Sequence, residues 1–155
     1  MTLVFRGRVP QALDPKGRIT VPRRFRDVLA GFSSGSTVVV VSLPGEEFLS
    51  VYPLEAWERW VETKAREMSP FDASAREFGR RIASRGRDTE MDAAGRILLQ
   101  PAERQQAGLG RDVILIGGAM ECFEVWDRAR FEAHEHQGQH TVPDLMQRFS
   151  AGHGS

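Results

Sequence analysis

"LDPKGRITVP" at residues 13–22 returns as "MDAAGRILLQ" at residues 91–100, displaced by seventy-eight positions. Both stretches hold Asp-x-x-Gly-Arg-Ile, and each runs into a short helix-forming segment. "DPKG" carries Asp, Pro and Gly at the first, second and fourth places of a four-residue turn, the residues that favour type I geometry. "RITV" then resumes as a strand on its β-branched residues. Pro22 suits the first position of a helix over "PRRFRDVLAG", with Phe25, Val28 and Leu29 on one side and Gly31 as its stop. "TVVVVSL" is too apolar to face water on both sides, and "EEFLSVY" follows across "PG" as its partner strand.

The same order recurs in the second half. "DAAG" is the turn, "RILL" the strand, and "PAERQQAGLG" the helix, with Pro101 near its start and Gly108 near its end. "DVILIGG" and "ECFEVW" supply the apolar strand and its successor. A duplicated unit in one chain presents its loop twice, which suits a symmetric surface better than a single catalytic pocket.

The repeats divide the chain into a first unit over residues 1–52, a helical connector over 53–83, a second unit over 84–132 and a tail over 133–155. In the connector, Leu54, Trp57, Val61 and Met68 share one helix side, while a Ser69 cap precedes a helix that gathers Phe71, Ala75, Phe78 and Ile82. At helical spacing Trp57 and Trp60 belong to a core or a subunit contact rather than to a stacking platform for bases. The tail has one short helix, from Pro143 to Ala151.

Composition narrows the class. A hydrophobic share of 41% and a charged share of 27% are those of a globular domain. The longest apolar run, "TVVVV", falls far short of the roughly 20 residues that span a bilayer, and the N-terminus does not read as a signal peptide. Cys122 is the single cysteine, so no internal disulfide forms, and its apolar neighbours suit a buried thiol. A cytoplasmic protein is expected. The net charge is zero, yet residues 1–26 hold Arg6, Arg8, Lys16, Arg18, Arg23, Arg24 and Arg26 against Asp14 alone. A neutral average conceals a basic head.

Chemistry-bearing motifs are few. His134, His136, His140 and His153 are irregularly spaced in a polar segment with no cysteine or carboxylate cluster to complete a metal site. No phosphate-binding loop, nucleophile elbow or zinc-protease motif occurs. No cofactor, metal or enzymatic activity is expected. What remains is the repeated loop. Arg18 and Arg96 each follow a tight turn, which mounts the guanidinium on stiff backbone. Asp14 and Asp92 either pair with these arginines only to hold the turn, or orient them toward an anion, for which arginine's planar fork is suited.

The opening "FRG", the stretches "LDPKGRITVPRRFR" and "MDAAGRILLQPAERQQAGL", and "CFEVWD" together resemble the MraZ family of bacterial transcriptional regulators. Its halves are similar to swapped-hairpin DNA-binding domains of the AbrB type. The resemblance implies an α+β, mostly β fold in which two halves form an internal, barrel-like pseudo-dimer of intertwined hairpins, with connecting and C-terminal helices. It also implies closed homo-oligomeric rings that display the Asp-x-x-x-Arg loops on one face. In such a ring the helix stripes with Trp57, Trp60, Phe71 and Phe78 are candidate subunit contacts, with burial inside the monomer as the competing explanation. The family's partner is double-stranded DNA, at repeated promoter elements heading the division and cell-wall gene cluster, which it represses. That places it in the cytoplasm and on the nucleoid, with no membrane partner.

Carried onto this chain, the DNA-binding positions are Lys16 and Arg18 in the first loop and Arg96 in the second, with Asp14 and Asp92 as positioners. Arg6 and Arg8 are added from local charge. A ring-forming interaction scaffold or antitoxin-like partner is the alternative. Two departures stand out. Ala94 occupies the place of Lys16, so the first loop is expected to bind phosphate more strongly. Glu103 stands where the first copy has Phe25, so the second short helix is expected to pack less deeply.

Overall fold

The computed structural model describes residues 4–118, 121–138 and 141–152. Strands β1 (Arg8–Ala12) and β2 (Arg18–Thr20) flank the first turn, followed by α1 (Arg23–Ala30), β3 (Thr37–Ser42) and β4 (Phe48–Pro53). Helices α2 (Leu54–Arg66) and α3 (Ala73–Arg81) connect to the second half. There β5 (Gly86–Glu90), β6 (Arg96–Leu98), α4 (Pro101–Ala107), β7 (Asp112–Gly117) and β8 (Phe123–Asp127) repeat the order. Helices α5 (Arg128–His136) and α6 (Val142–Gly152) follow.

Six strands form one antiparallel sheet in the order β1-β7-β8-β4-β3-β5, and β2 pairs with β6 in a separate ribbon. The halves are swapped. The first strand of each half lies against the third strand of the other, β1 on β7 and β5 on β3. The registers are equivalent: Ala12 faces Asp112 as Glu90 faces Thr37. A pseudo-two-fold axis passes where equivalent residues meet, between Ile19 and Ile97 in the ribbon and between Ser50 and Glu124 at the sheet centre. The sheet is not closed into a barrel, contrary to the barrel-like form expected. Symmetry sends β1 and β5 to opposite edges, and the three-residue β2 and β6 pair with each other instead of bridging those edges.

The core lies between sheet and ribbon. Ile19, Ile97, Val38, Val40, Leu49, Val51, Leu115 and Val125 are fully buried, because alternate strand residues point to one face. Phe5, Phe25 and Phe123 meet there with ring centroids 5.1–5.4 Å apart. On the other face Val39 and Val41 join Trp57 under α2, so β3 is buried on both sides. Trp57 stacks on Trp60, which reaches Phe78.

Two local expectations are corrected. Ser69 does not cap α3: its hydroxyl accepts from Phe71 N in a preceding turn, and the Asp72 carboxylate accepts from Ser74 N at the helix start. Phe71 therefore precedes the helix and is 89% exposed, while Phe78 and Ile82 pack inward. Nor does Glu103 hold α4 away from the core. Its carboxylate is buried and accepts from Arg87 Nε and Nη2, at 2.8 Å each, and from Gln100 N. An ion pair fills the place that Phe25 fills in the first half, and Leu99 and Ala107 beside it are fully buried.

Candidate nucleic-acid interface

The two loops are built alike. Gly17 N donates to Asp14 O and Gly95 N to Asp92 O, each at 2.9 Å, closing four-residue turns. Gly17 and Gly95 then take φ of +84° and +80°, where a β-carbon is strained, and this bulge returns the chain to the strand. Asp14 Oδ1 accepts from Lys16 N and Arg18 N at 2.9 Å, and its Oδ2 accepts from Arg18 Nε at 2.7 Å. Asp92 repeats this with Ala94 N, Arg96 N and Arg96 Nε at 2.8–3.0 Å. The backbone amides of Arg18 and Arg96, ahead of their guanidinium groups, hold both carboxyls below the ordinary carboxylate value.

The ribbon sets where the arginines point. Arg18 faces Leu98 and Arg96 faces Thr20, while Ile19 and Ile97 between them turn into the core. Partners across an antiparallel pair share a face, so Arg18 and Arg96 both stand on the outer one. They occupy diagonal positions, about 7–8 Å apart at the backbone. Each spends only Nε on its aspartate; the terminal amino groups of both make no hydrogen bond among the described residues. Their side chains are 30% and 36% exposed. The result is one pair of preoriented forks on a common surface, the arrangement that grips phosphate or base edges.

Each loop is also braced by the opposite half. Arg104 lies over the first turn, where a β-carbon on Gly17 would come within 2.8 Å of its Cζ. Arg26, its equivalent, lies over the second, 2.8 Å by its Cδ from the same point on Gly95. Crosswise hydrogen bonds accompany them, Leu99 N to Gly17 O and Val21 N to Gly95 O. These two arginines were missed as site residues, although their equivalence under the seventy-eight-residue displacement was visible.

Of the other expected positions, Lys16 is exposed at the tip of the first loop. Arg6 is exposed ahead of β1. Arg8 sits at the far end of β1, about 20 Å from the turn at strand rise, where it pairs with Glu135 and lies over the Phe131 ring. The structure does not bring Arg8 to the loops. His134 packs on Trp126 and His136 ends α5, both exposed, while His140 and His153 lie outside the described residues. Among the described residues no three histidine, cysteine or carboxylate groups cluster to hold a metal, and no helix is long and apolar enough to cross a membrane.

The family model described as MraZ protein, antitoxin-like, matches residues 4–81 and 84–144. The chain belongs to the MraZ family. It is 40% identical over 133 residues to a protein of Acidithiobacillus ferrooxidans named transcriptional regulator MraZ, covering 84% of this chain and 87% of that one. A protein of the same name from Syntrophobacter fumaroxidans is 37% identical over 150 residues, covering 97% and 96%. Another from Verminephrobacter eiseniae is 35% identical, covering 95% and 99%. Likeness to MraZ proteins thus runs through both loops and both sets of strands.

Proposed function

We propose that this chain is a transcriptional regulator that binds double-stranded DNA through the Arg18 and Arg96 loops. The observation that carries the reading is the outward ribbon, on which two aspartate-oriented guanidinium groups share one face. Relatives of 35–40% identity that bear the name transcriptional regulator MraZ support it. The targets in this reading are repeated elements in the promoter of the division and cell-wall gene cluster, which the protein represses as a closed ring in the cytoplasm, associated with the nucleoid.

The ring follows from energetics. One loop pair touches few phosphates and binds weakly at physiological salt. Neighbouring subunits on successive repeats turn later contacts into intramolecular ones and raise avidity by about 10²–10⁴. Asp14 and Lys16, Asp92, and the exposed Arg6 complete the binding set as positioners and phosphate contacts.

Arg18→Ala is the test. The variant is expected to lose the shift of a fragment from upstream of its own gene while eluting at the wild-type oligomer size. Retained binding by a correctly assembled variant would sink the proposal. The antitoxin-like description of the family favours a second reading, in which the loops hold a protein. A stoichiometric protein partner captured by wild type and lost with Arg18→Ala, without promoter preference, would establish that one instead.

A further inference from the structure

The two loop ends differ in charge at four equivalent places, three of which favour the first. Lys16 in the first loop corresponds to Ala94 in the second. Ala12, the last residue of β1, corresponds to Glu90, the last of β5, as their matched registers show. Arg111, whose carbonyl accepts from Leu13 N, corresponds to Ser36, whose carbonyl accepts from Met91 N. Each of these makes the first end more positive by one unit, while Asp112, which faces Ala12 as Thr37 faces Glu90, takes one unit back, so the ends differ by two charges across a backbone that is otherwise symmetric.

At the first loop these differences open onto a cleft of about 750 Å³ between the turn and the α4–β7 connection, lined by Leu13, Asp14, Pro15, Arg104, Gly110 and Arg111. Neither arginine pairs with a carboxylate among the described residues. Arg104 gives only its Nε, to Leu99 O at 3.2 Å, and Arg111 is exposed with its guanidinium unengaged. The one acid in the cleft, Asp14, already accepts three hydrogen bonds from its own loop, so its charge is met internally. Two cations with unspent donors beside an internally neutralised turn make a site for an anion. The cleft is far larger than one oxyanion and opens beside the loop that carries Arg18, which suits a stretch of phosphodiester backbone.

We propose that Arg104 and Arg111 bind a backbone phosphate of the duplex in this cleft, making the first loop the anchoring one and the two halves of each chain inequivalent on DNA. The inference rests on the DNA-binding reading above and adds to it a contact made by the second half in support of the first loop.

The test uses the full-length protein and the promoter duplex, with binding measured across a salt series. Arg111→Ser installs the residue of the second half at an exposed position. It is expected to keep the wild-type melting curve and oligomer size. Its affinity should fall roughly fivefold per chain engaged at 0.15 M salt, with a salt slope shallower by about one per chain. The loss should be equal on promoter and unrelated duplex, since phosphate contacts carry no sequence. Arg111→Lys should recover most of the slope. Unchanged affinity and slope in Arg111→Ser, while Arg18→Ala abolishes binding, would overturn this inference and leave the DNA reading standing. A loss confined to the promoter sequence would also overturn it, by making the contact one to a base. If inorganic phosphate alone raises the melting temperature of wild type but not of Arg111→Ser, the cleft belongs to a free anion and the proposal is wrong. Wild type that fails to bind any duplex overturns both readings.

Discussion

The first and second halves share a backbone plan and solve its interior differently. Where the first half buries Phe25 in a cluster with Phe5 and Phe123, the second buries Glu103 against Arg87. The aromatic solution gains from apolar area at about 2–3 kcal/mol for a fully buried side chain. The ionic one gains little net over an apolar pair, because desolvation offsets the Coulomb attraction, but it is intolerant of losing one partner. Equivalent geometry therefore does not mean equivalent energetics. The same holds at the surface, where the first loop end carries two more units of positive charge than the second.

Phe25→Ala should produce the largest effect, a loss of about 3–5 kcal/mol in urea denaturation, since it empties the meeting point of three rings. Glu103→Ala should cost about 2–3 kcal/mol by stranding Arg87 and the Gln100 amide. If it cost as much as Phe25→Ala, the two solutions would be energetically alike and the contrast would fail. Replacing both partners, Arg87→Met with Glu103→Leu, should recover about half of the Glu103→Ala loss, because it removes the stranded charge but still leaves the Gln100 amide and the Leu98 carbonyl without these partners. No recovery there would mean the pair contributes more than its geometry explains.

Gly17→Ala and Gly95→Ala should each cost about 1–2 kcal/mol from the left-handed backbone alone. Gly17→Ala should be the worse, because a β-carbon there also meets the Leu99 carbonyl at 3.0 Å, while at Gly95 the three nearest atoms all belong to the flexible Arg26 side chain. Equal melting temperatures would show that the rigid backbone neighbour gives way.

The smallest effect is in pH. Asp14 and Asp92 are held below the ordinary value of 3.8, chiefly by the Arg18 and Arg96 amides. A carboxylate whose folded pKa is lowered stabilises fully above its unfolded pKa, and that contribution disappears as pH falls through the folded one. Carboxyl chemical shifts followed by NMR should therefore place both midpoints below 3.8. A midpoint at or above that value for either would show that its turn does not hold the carboxylate as drawn.

Element order was readable from the chain because turn residues, β-branched runs and helix stops are local signals. Both turns, α4 and the apolar strands β3 and β7 lie where "DPKG", "DAAG", Pro101 and the apolar runs put them, and α1 opens at Arg23, one residue past the Pro22 expected to begin it. Phe71 was misplaced because periodicity ranks apolar spacing above capping, and Asp72 decided where α3 starts. Glu103 was misjudged because a lone acidic residue gives no sign of Arg87, sixteen positions earlier and on another element. Arg26 and Arg104 escaped notice for a related reason: each acts on the loop of the opposite half, and periodicity within one half contains no information about that crossing.

The chain by itself determined that there are two of everything: two Asp-x-x-Gly-Arg turns, each able to close through its own carboxylate, because every atom involved lies within five residues. Tertiary structure alone decided that the two arginines face the same way. That outcome needs β2 to pair with β6 in a register that centres Ile19 on Ile97, and such pairing is set by which apolar residues the whole fold must bury, not by either loop.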